Sequence, residues 1–237
     1  MVNRHTSKKI RKTHRYLGLF IGIQFLMWTI SGMYFSWTDI DEIHGDHYLN
    51  ENFEPSAFTN LISPGELKFN EKISNLELKD IGGQPHYWVN NTYLFNAKSG
   101  EIKKMISEEE AAGIAKMRMK QNLEIEEIAL ITVTGKHHEI RGQSLPAYAV
   151  SYKDNGNLKA YISARDGSFR SVRYRDWRWF DFLWMTHTMD YEGRDDFNNL
   201  LLRSFSLLGL ITVLSGFLLW YVSSPTVRKF FPKKKFN

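Results

Sequence analysis

The chain has no cysteine among its 237 residues. That excludes disulfides, haem attached covalently through C-x-x-C-H, thiolate metal sites and thiol catalysis. It carries no information about compartment, because a periplasmic domain of this size can fold without disulfides. The motifs G-x-S-x-G and H-E-x-x-H, a phosphate-binding P-loop and a dinucleotide-binding glycine run are also absent, so no hydrolytic or transfer chemistry announces itself. Charge is missing from two long stretches, Tyr16 to Thr38 and Ser204 to Val227. Each is long enough to cross about 30 Å of hydrocarbon as a helix.

What remains is polar, and it pulls the mean hydropathy to -0.38 in a chain expected to be membrane-bound. The first apolar run is longer than the core of a signal peptide, and the "MYFSWTDID" after it offers no small-x-small cleavage site. A retained anchor is therefore expected. Lys8, Lys9, Arg11, Lys12 and Arg15 precede the first span, while Arg228, Lys229, Lys233, Lys234 and Lys235 follow the second. The positive-inside rule then puts both ends in the cytoplasm and the middle in the periplasm of a bacterial inner membrane. These two collars supply most of the formal charge of +5. They suit lipid headgroups; a nucleic-acid surface would instead interleave cations with aromatics on a folded face.

The middle carries a repeated pattern. Ser63-Pro64-Gly65-Glu66 and Ser107-Glu108-Glu109-Glu110 both have the S-x-x-E form of a capping box, and each predicts a helix start. Short alternating runs follow the first, "SNLELKDI", "HYWV" and "TYLF", closed by "AKSG". After the second come "EIEEIALITVT", "AYAVSYK" and "LKAYIS", the last two separated by "DNGN" and closed by "ARDG". Pro85, Tyr87 and Val89 match Pro146, Tyr148 and Val150, and Ala97, Lys98 and Gly100 match Ala164, Arg165 and Gly167. Two copies of a unit, helix then antiparallel sheet, are expected, each too small to bury much alone and so sharing a core.

The resulting fold class is membrane α+β, two transmembrane helices flanking an α+β region. The expected organisation is a basic N-terminus (1–15), a first span (16–38), an outer region (39–172) with repeats at about 60–105 and 106–172, an amphipathic interfacial segment (173–203), a second span (204–223) and a basic tail (224–237). The interfacial segment mixes Trp177, Trp179, Phe180, Phe182 and Trp184 with arginine and aspartate, a composition that suits the headgroup level.

"THRYLGLFIG" with "SGMYFSW", the two units ending in "NAKSGEI" and "SARDGSF", and the "WMTHTMDYEG" tail running into "LLGLITVLSGFLLW" together resemble the PepSY-associated transmembrane helix proteins of bacterial inner membranes. The likeness covers nearly the whole chain. It implies that the outer region consists of two PepSY-like repeats and that the protein belongs with iron acquisition. Larger members look like haem-containing reductases of ferric siderophores, with histidines at the membrane edges ligating haem b. His14 falls at the family's H-R-x-L-G position and His187 at the histidine before the last span. Those reductase-like members carry additional membrane helices, so the implication for two spans is an oligomer or a subunit of a larger membrane assembly.

Several histidines thus need weighing. His14 and His187 lie about a membrane thickness apart, roughly 30 Å, and cannot grip the same iron. A bis-histidine site would need a second copy or a partner, or, for His187, His44 or His47. Gly18, Gly22, Ser31 and Gly32 in the first span, with Gly209, Ser215 and Gly216 in the second, would let helices of a homodimer approach closely. The bland alternatives are an interfacial ring among basic residues for His14 and an aromatic packing position for His187. His44 and His47 form a His-x-x-His pair beside Asp39, Asp41 and Glu42, suited to Zn2+, Cu2+ or iron, or simply a solvated loop. His137 and His138 read as loop residues and His86 as strand packing.

The leading functional expectation is a redox or accessory role in iron-siderophore or haem handling, with haem b as the implied cofactor. The lipid bilayer, a second copy or other inner-membrane subunits, and a periplasmic protein or ferric siderophore are the partners implied. The alternative is a membrane-anchored, non-enzymatic periplasmic binding module or an accessory subunit of a membrane complex.

Overall fold

The computed structural model describes residues 4–153 and 156–224. The distal cations Arg228, Lys229, Lys233, Lys234 and Lys235 lie outside the described residues, as do Asp154 and Asn155 of the D-N-G-N turn. Thr38–Phe180 forms one compact unit; the described residues of Met1–Trp37 and Asp181–Asn237 form the other.

In the first unit a five-residue helix, α2 (Ile40–His44), is capped by the Asp39 side chain and ends at Gly45, whose φ of 88° lies in the left-handed region. A side chain there would also strike Val172, 2.8 Å from the Cβ position, so only glycine fits. Two antiparallel four-stranded sheets follow, in simple meander order. The first comprises β1 (Leu76–Ile81), β2 (Gln84–Val89), β3 (Tyr93–Asn96) and β4 (Ile102–Lys103); the second comprises β5 (Ile125–Ile131), β6 (Ala147–Tyr152), β7 (Lys159–Ser163) and β8 (Phe169–Arg173).

Between the sheets in sequence lies α3 (Glu108–Arg118). Its capping box is complete: the Glu110 amide donates to Ser107 Oγ at 3.2 Å, and the Ser107 amide donates to Glu110 Oε2 at 2.7 Å. The other S-x-x-E segment does not open a helix. It makes a single 3-10 turn, Pro64–Glu66, in which Ser63 Oγ accepts only from the Gly65 amide and Leu67 is already extended. Gly65 weakens helix propagation, and "LKFNEKIS" beyond it lacks an apolar face at helical period, so nothing extends that turn into a helix.

The sheet halves nevertheless repeat each other bond for bond. The Tyr87 hydroxyl donates to Ile62 O, just before Ser63, and the Tyr148 hydroxyl donates to Ile106 O, just before Ser107. The Ala97 amide donates to Pro85 O and the Ala164 amide to Pro146 O; the Ile62 amide donates to Ala97 O and the Ile106 amide to Ala164 O.

The two halves share a core. Ile81, Trp88 and Leu94 of the first sheet, Ala111, Ile114 and Ala115 of α3, and Tyr148, Val150, Ala160 and Ile162 of the second sheet form one buried cluster. Strand alternation sends the other faces elsewhere: Tyr87 and Val89 pack with Leu67, while Ala147 and Ala149 pack with Ile140.

The second unit contains α1 (Arg4–Trp37) and α5 (Leu200–Ser223), two helices long and apolar enough to cross a membrane. They run antiparallel, with Arg11 Nη2 donating to Ser223 Oγ at 3.3 Å and Phe25 lying against Gly209. Their outward side chains, Leu19, Ile23 and Leu26 on α1 and Leu207, Leu210 and Leu214 on α5, are uncovered by this chain. The helix α4 (Arg175–Thr188) ends at Met189, whose φ of 54° stops it. Residues from Asp181 onward belong to this helical unit.

Candidate functional site: two serine-backed histidines

The loop between α4 and α5 is built around one carboxylate. Asp190 accepts the amides of Glu192, Gly193, Asp195 and Asp196 at 2.9–3.3 Å. Burial alone would raise its pKa; the four amides outweigh that and hold it below the usual carboxylate range. Asp181 pairs with Arg194, and Asn199 both caps α5 and donates to Thr188 O at 3.0 Å. These contacts fix the last turn of α4 against the start of α5.

The last turn carries His187. Its Nδ1 lies 2.7 Å from Ser31 Oγ on α1, and its backbone carbonyl accepts from Trp28 Nε1 at 2.8 Å. Gln24 Nε2 donates to the neighbouring Thr186 O. The rings of Phe35 and Trp28 flank the imidazole, at 5.6 and 6.4 Å between centroids. Trp184 continues the aromatic wall onto Phe35 and Phe197.

His14 has the same arrangement. Its Nδ1 lies 2.8 Å from Ser215 Oγ on α5. Gly216 makes the room: a Cβ there would stand 3.2 Å from His14 Cε1.

Each serine has one hydroxyl hydrogen, and each commits it to its own helix. Ser31 donates to Met27 O at 2.7 Å, and Ser215 donates to Thr212 O at 2.7 Å. The oxygen that faces the histidine must therefore accept, so Nδ1 carries a hydrogen in both rings. In the neutral ring the lone pair then sits on Nε2. That is the condition of an imidazole ready to ligate a metal through Nε2, with its other nitrogen held by a supporting hydrogen bond.

Each ring could thus offer Nε2 to a metal centre. The two are far apart: 17 residues of α1 separate His14 from Ser31, about 25 Å at the helical rise. They are two positions, not one pair.

The other histidines differ. His44 closes α2 and His47 follows Gly45; both are exposed, and the His47 ring packs on Tyr48 and Tyr174. Asp39 is used as the α2 cap. No three His, Asp or Glu side chains gather at metal-holding spacing among the described residues. His138 Nδ1 accepts the Ile140 amide. His86 is buried in β2, where burial lowers its pKa.

Ser31, Ser215 and Gly216 read in the sequence as small residues for close helix approach. Their closeness to the two imidazoles depends on residues 156 and 201 positions apart. The available signal was a hydroxyl inside an apolar span, which needs a partner when it faces another helix.

The family model described as the PepSY-associated TM region matches residues 2–223. No curated protein and no solved structure matches the chain. A match over nearly the full length, together with two antiparallel apolar helices bracketing two antiparallel sheets, makes this chain a member of the PepSY-associated TM family, a membrane protein with two possible spans.

Proposed function

We propose that the protein is a haem-binding redox or accessory component of iron-siderophore or haem handling, in which His14 and His187 each supply an axial ligand through Nε2. One observation carries this reading: Nδ1 of each ring lies within hydrogen-bond distance of a serine on the neighbouring helix, which leaves Nε2 as the ligating nitrogen when that serine donates to its own helix. Bound haem b would supply one-electron chemistry, and the polypeptide would orient the imidazoles and exclude water from them.

The separation of the two histidines means that a bis-histidine site requires a second copy of this chain or another subunit. Gly18 and Gly22 support this, because a Cβ at either would meet nothing within 4 Å; the G-x-x-x-G face of α1 is not consumed by packing within the chain. The sheet unit reads as two PepSY-like repeats, supported by the duplicated tyrosine and alanine hydrogen bonds. The cations before the first apolar run support a periplasmic placement for it.

The test is the visible spectrum of protein purified from haem-supplied cells in mild detergent, with and without dithionite. A Soret band and a reduced α-band that disappear in His14→Ala or His187→Ala support the reading. A colourless preparation refutes it and leaves the membrane-anchored binding module.

A further inference from the structure

A second candidate site lies in the sheet unit, in the seam where the two halves meet. It is a cleft of about 270 Å³. β1 contributes Glu77 and Lys79, β2 contributes Trp88, and the β7–β8 turn contributes Arg165 and Asp166, with Arg170 beyond it.

The charges are uneven. Lys79 pairs with Glu77 at 2.7 Å and lies 3.9 Å from Asp166, and Arg170 lies 3.6 Å from Asp166. Arg165 is exposed at the cleft and makes no ion pair among the described residues. Three cations thus face two carboxylates, leaving one guanidinium without a counter-ion. Burial alone would raise the Asp166 pKa; the Ser163 and Ser168 hydroxyls and Arg170 outweigh it, so both carboxylates are ionised at neutral pH and the surplus of one positive charge stands.

A buried donor points into the same space. Ser163 lines the cleft, is fully buried, and its Oγ has no hydrogen-bond partner. It is near enough to Asp166 to favour the carboxylate's charge, yet too poorly placed to complete a hydrogen bond with it. A buried hydroxyl left unpaired costs stability, and a ligand oxygen would relieve that cost.

We propose that this cleft binds a monocarboxylate, with Arg165 as its counter-ion and the Ser163 hydroxyl as a donor. A guanidinium matches a carboxylate's two oxygens in one plane. A dianion such as phosphate would meet Glu77 and Asp166 with more charge than one free guanidinium offsets, and a cation would meet Lys79, Arg165 and Arg170. The carboxylate has two sources, a free small acid or the C-terminus of a peptide, and the cleft volume admits either. The site is independent of haem.

The experiment is titration of the full chain in lipid nanodiscs by calorimetry, using acetate, succinate, triglycine, triglycine amide and inorganic phosphate as probes. Saturable binding of acetate or triglycine, weakened about tenfold or more in Arg165→Gln, is expected, as for loss of one charge-assisted contact. Triglycine binding without binding of acetate or triglycine amide assigns the site to a peptide C-terminus; acetate binding assigns it to a free acid. Ser163→Ala removes the donor to the ligand: carboxylate binding should fall while the fold, checked by circular dichroism at the assay temperature, is retained. Absence of saturable carboxylate binding, preference for phosphate, or binding unchanged in both variants overturns the proposal.

Discussion

His187 Nδ1 and Ser31 Oγ lie 2.7 Å apart across 156 residues of chain, and Ser31 spends its own hydrogen on Met27 O. The pair fixes the imidazole's tautomer and sets the ring against α1 between Trp28 and Phe35. Its counterpart, His14 with Ser215, does the same on α5. Two unrelated stretches of sequence have arrived at one arrangement, which argues for a shared chemical demand on both rings.

If His14 and His187 hold haem as proposed, removing either serine should weaken the site without removing the ligating ring. Ser31→Ala and Ser215→Ala leave an imidazole N–H unpaired, and loss of such a supporting contact weakens metal binding about 10–100-fold. Haem content per protein, measured after purification under limiting haem, is expected to fall in each variant while the fold is retained.

The glycines divide into two classes. At Gly209 a Cβ would stand 3.0 Å from the Phe25 ring, and at Gly216 it would stand 3.2 Å from His14. Gly209→Ala and Gly216→Ala should destabilise the α1–α5 pair by about 1–3 kcal/mol where the Phe25 and His14 rings are held too firmly to shift by a few tenths of an ångström, as overpacking does. Gly18→Ala and Gly22→Ala meet nothing within 4 Å and should leave the monomer's stability unchanged or raise it by up to about 1 kcal/mol through helix propensity. If the G-x-x-x-G face joins two copies, these two variants instead shift the oligomer distribution seen by analytical ultracentrifugation in detergent.

Capping chemistry gives a third contrast. Ser107→Ala breaks a reciprocal box at the start of an 11-residue helix and should cost about 1 kcal/mol in chemical denaturation. Ser63→Ala removes one contact from an exposed 3-10 turn and should cost a few tenths of that at most, roughly within the range of surface substitutions.

Acid should weaken the sheet unit through His86. Burial holds its pKa below the ordinary 6.5, more than offsetting the Gln84 carbonyl bond that would raise it. The unfolded chain therefore takes up a proton near the ordinary value while the folded chain does not. The stabilisation is complete above that value and is lost as pH falls towards the depressed pKa. Thermal unfolding followed between pH 7.5 and 5.5, roughly a unit either side of the ordinary imidazole value, should show a decline that is much reduced in His86→Gln.

Local signals in the sequence translated well where local physics decided them. The strands of "HYWV" and "AYAVSYK" appear as β2 and β6 because their side chains alternate between two buried layers. Ser107 and Glu110 close their box because Ala111, Ile114 and Ala115 give the following helix a buried face. Ser63 and Glu66 offered the same letters, but Gly65 and the absence of an apolar stripe left only a turn. A capping box starts a helix that packing then has to keep.

Sequence alone determined the two apolar spans, the antiparallel strands and the histidines worth attention, since run length, alternation and residue chemistry are properties of neighbours along the chain. Tertiary structure decided which nitrogen of each imidazole is held and which glycines are crowded. Those depend on atoms brought within 3–4 Å from distant positions, and no spacing rule along a chain encodes that closeness.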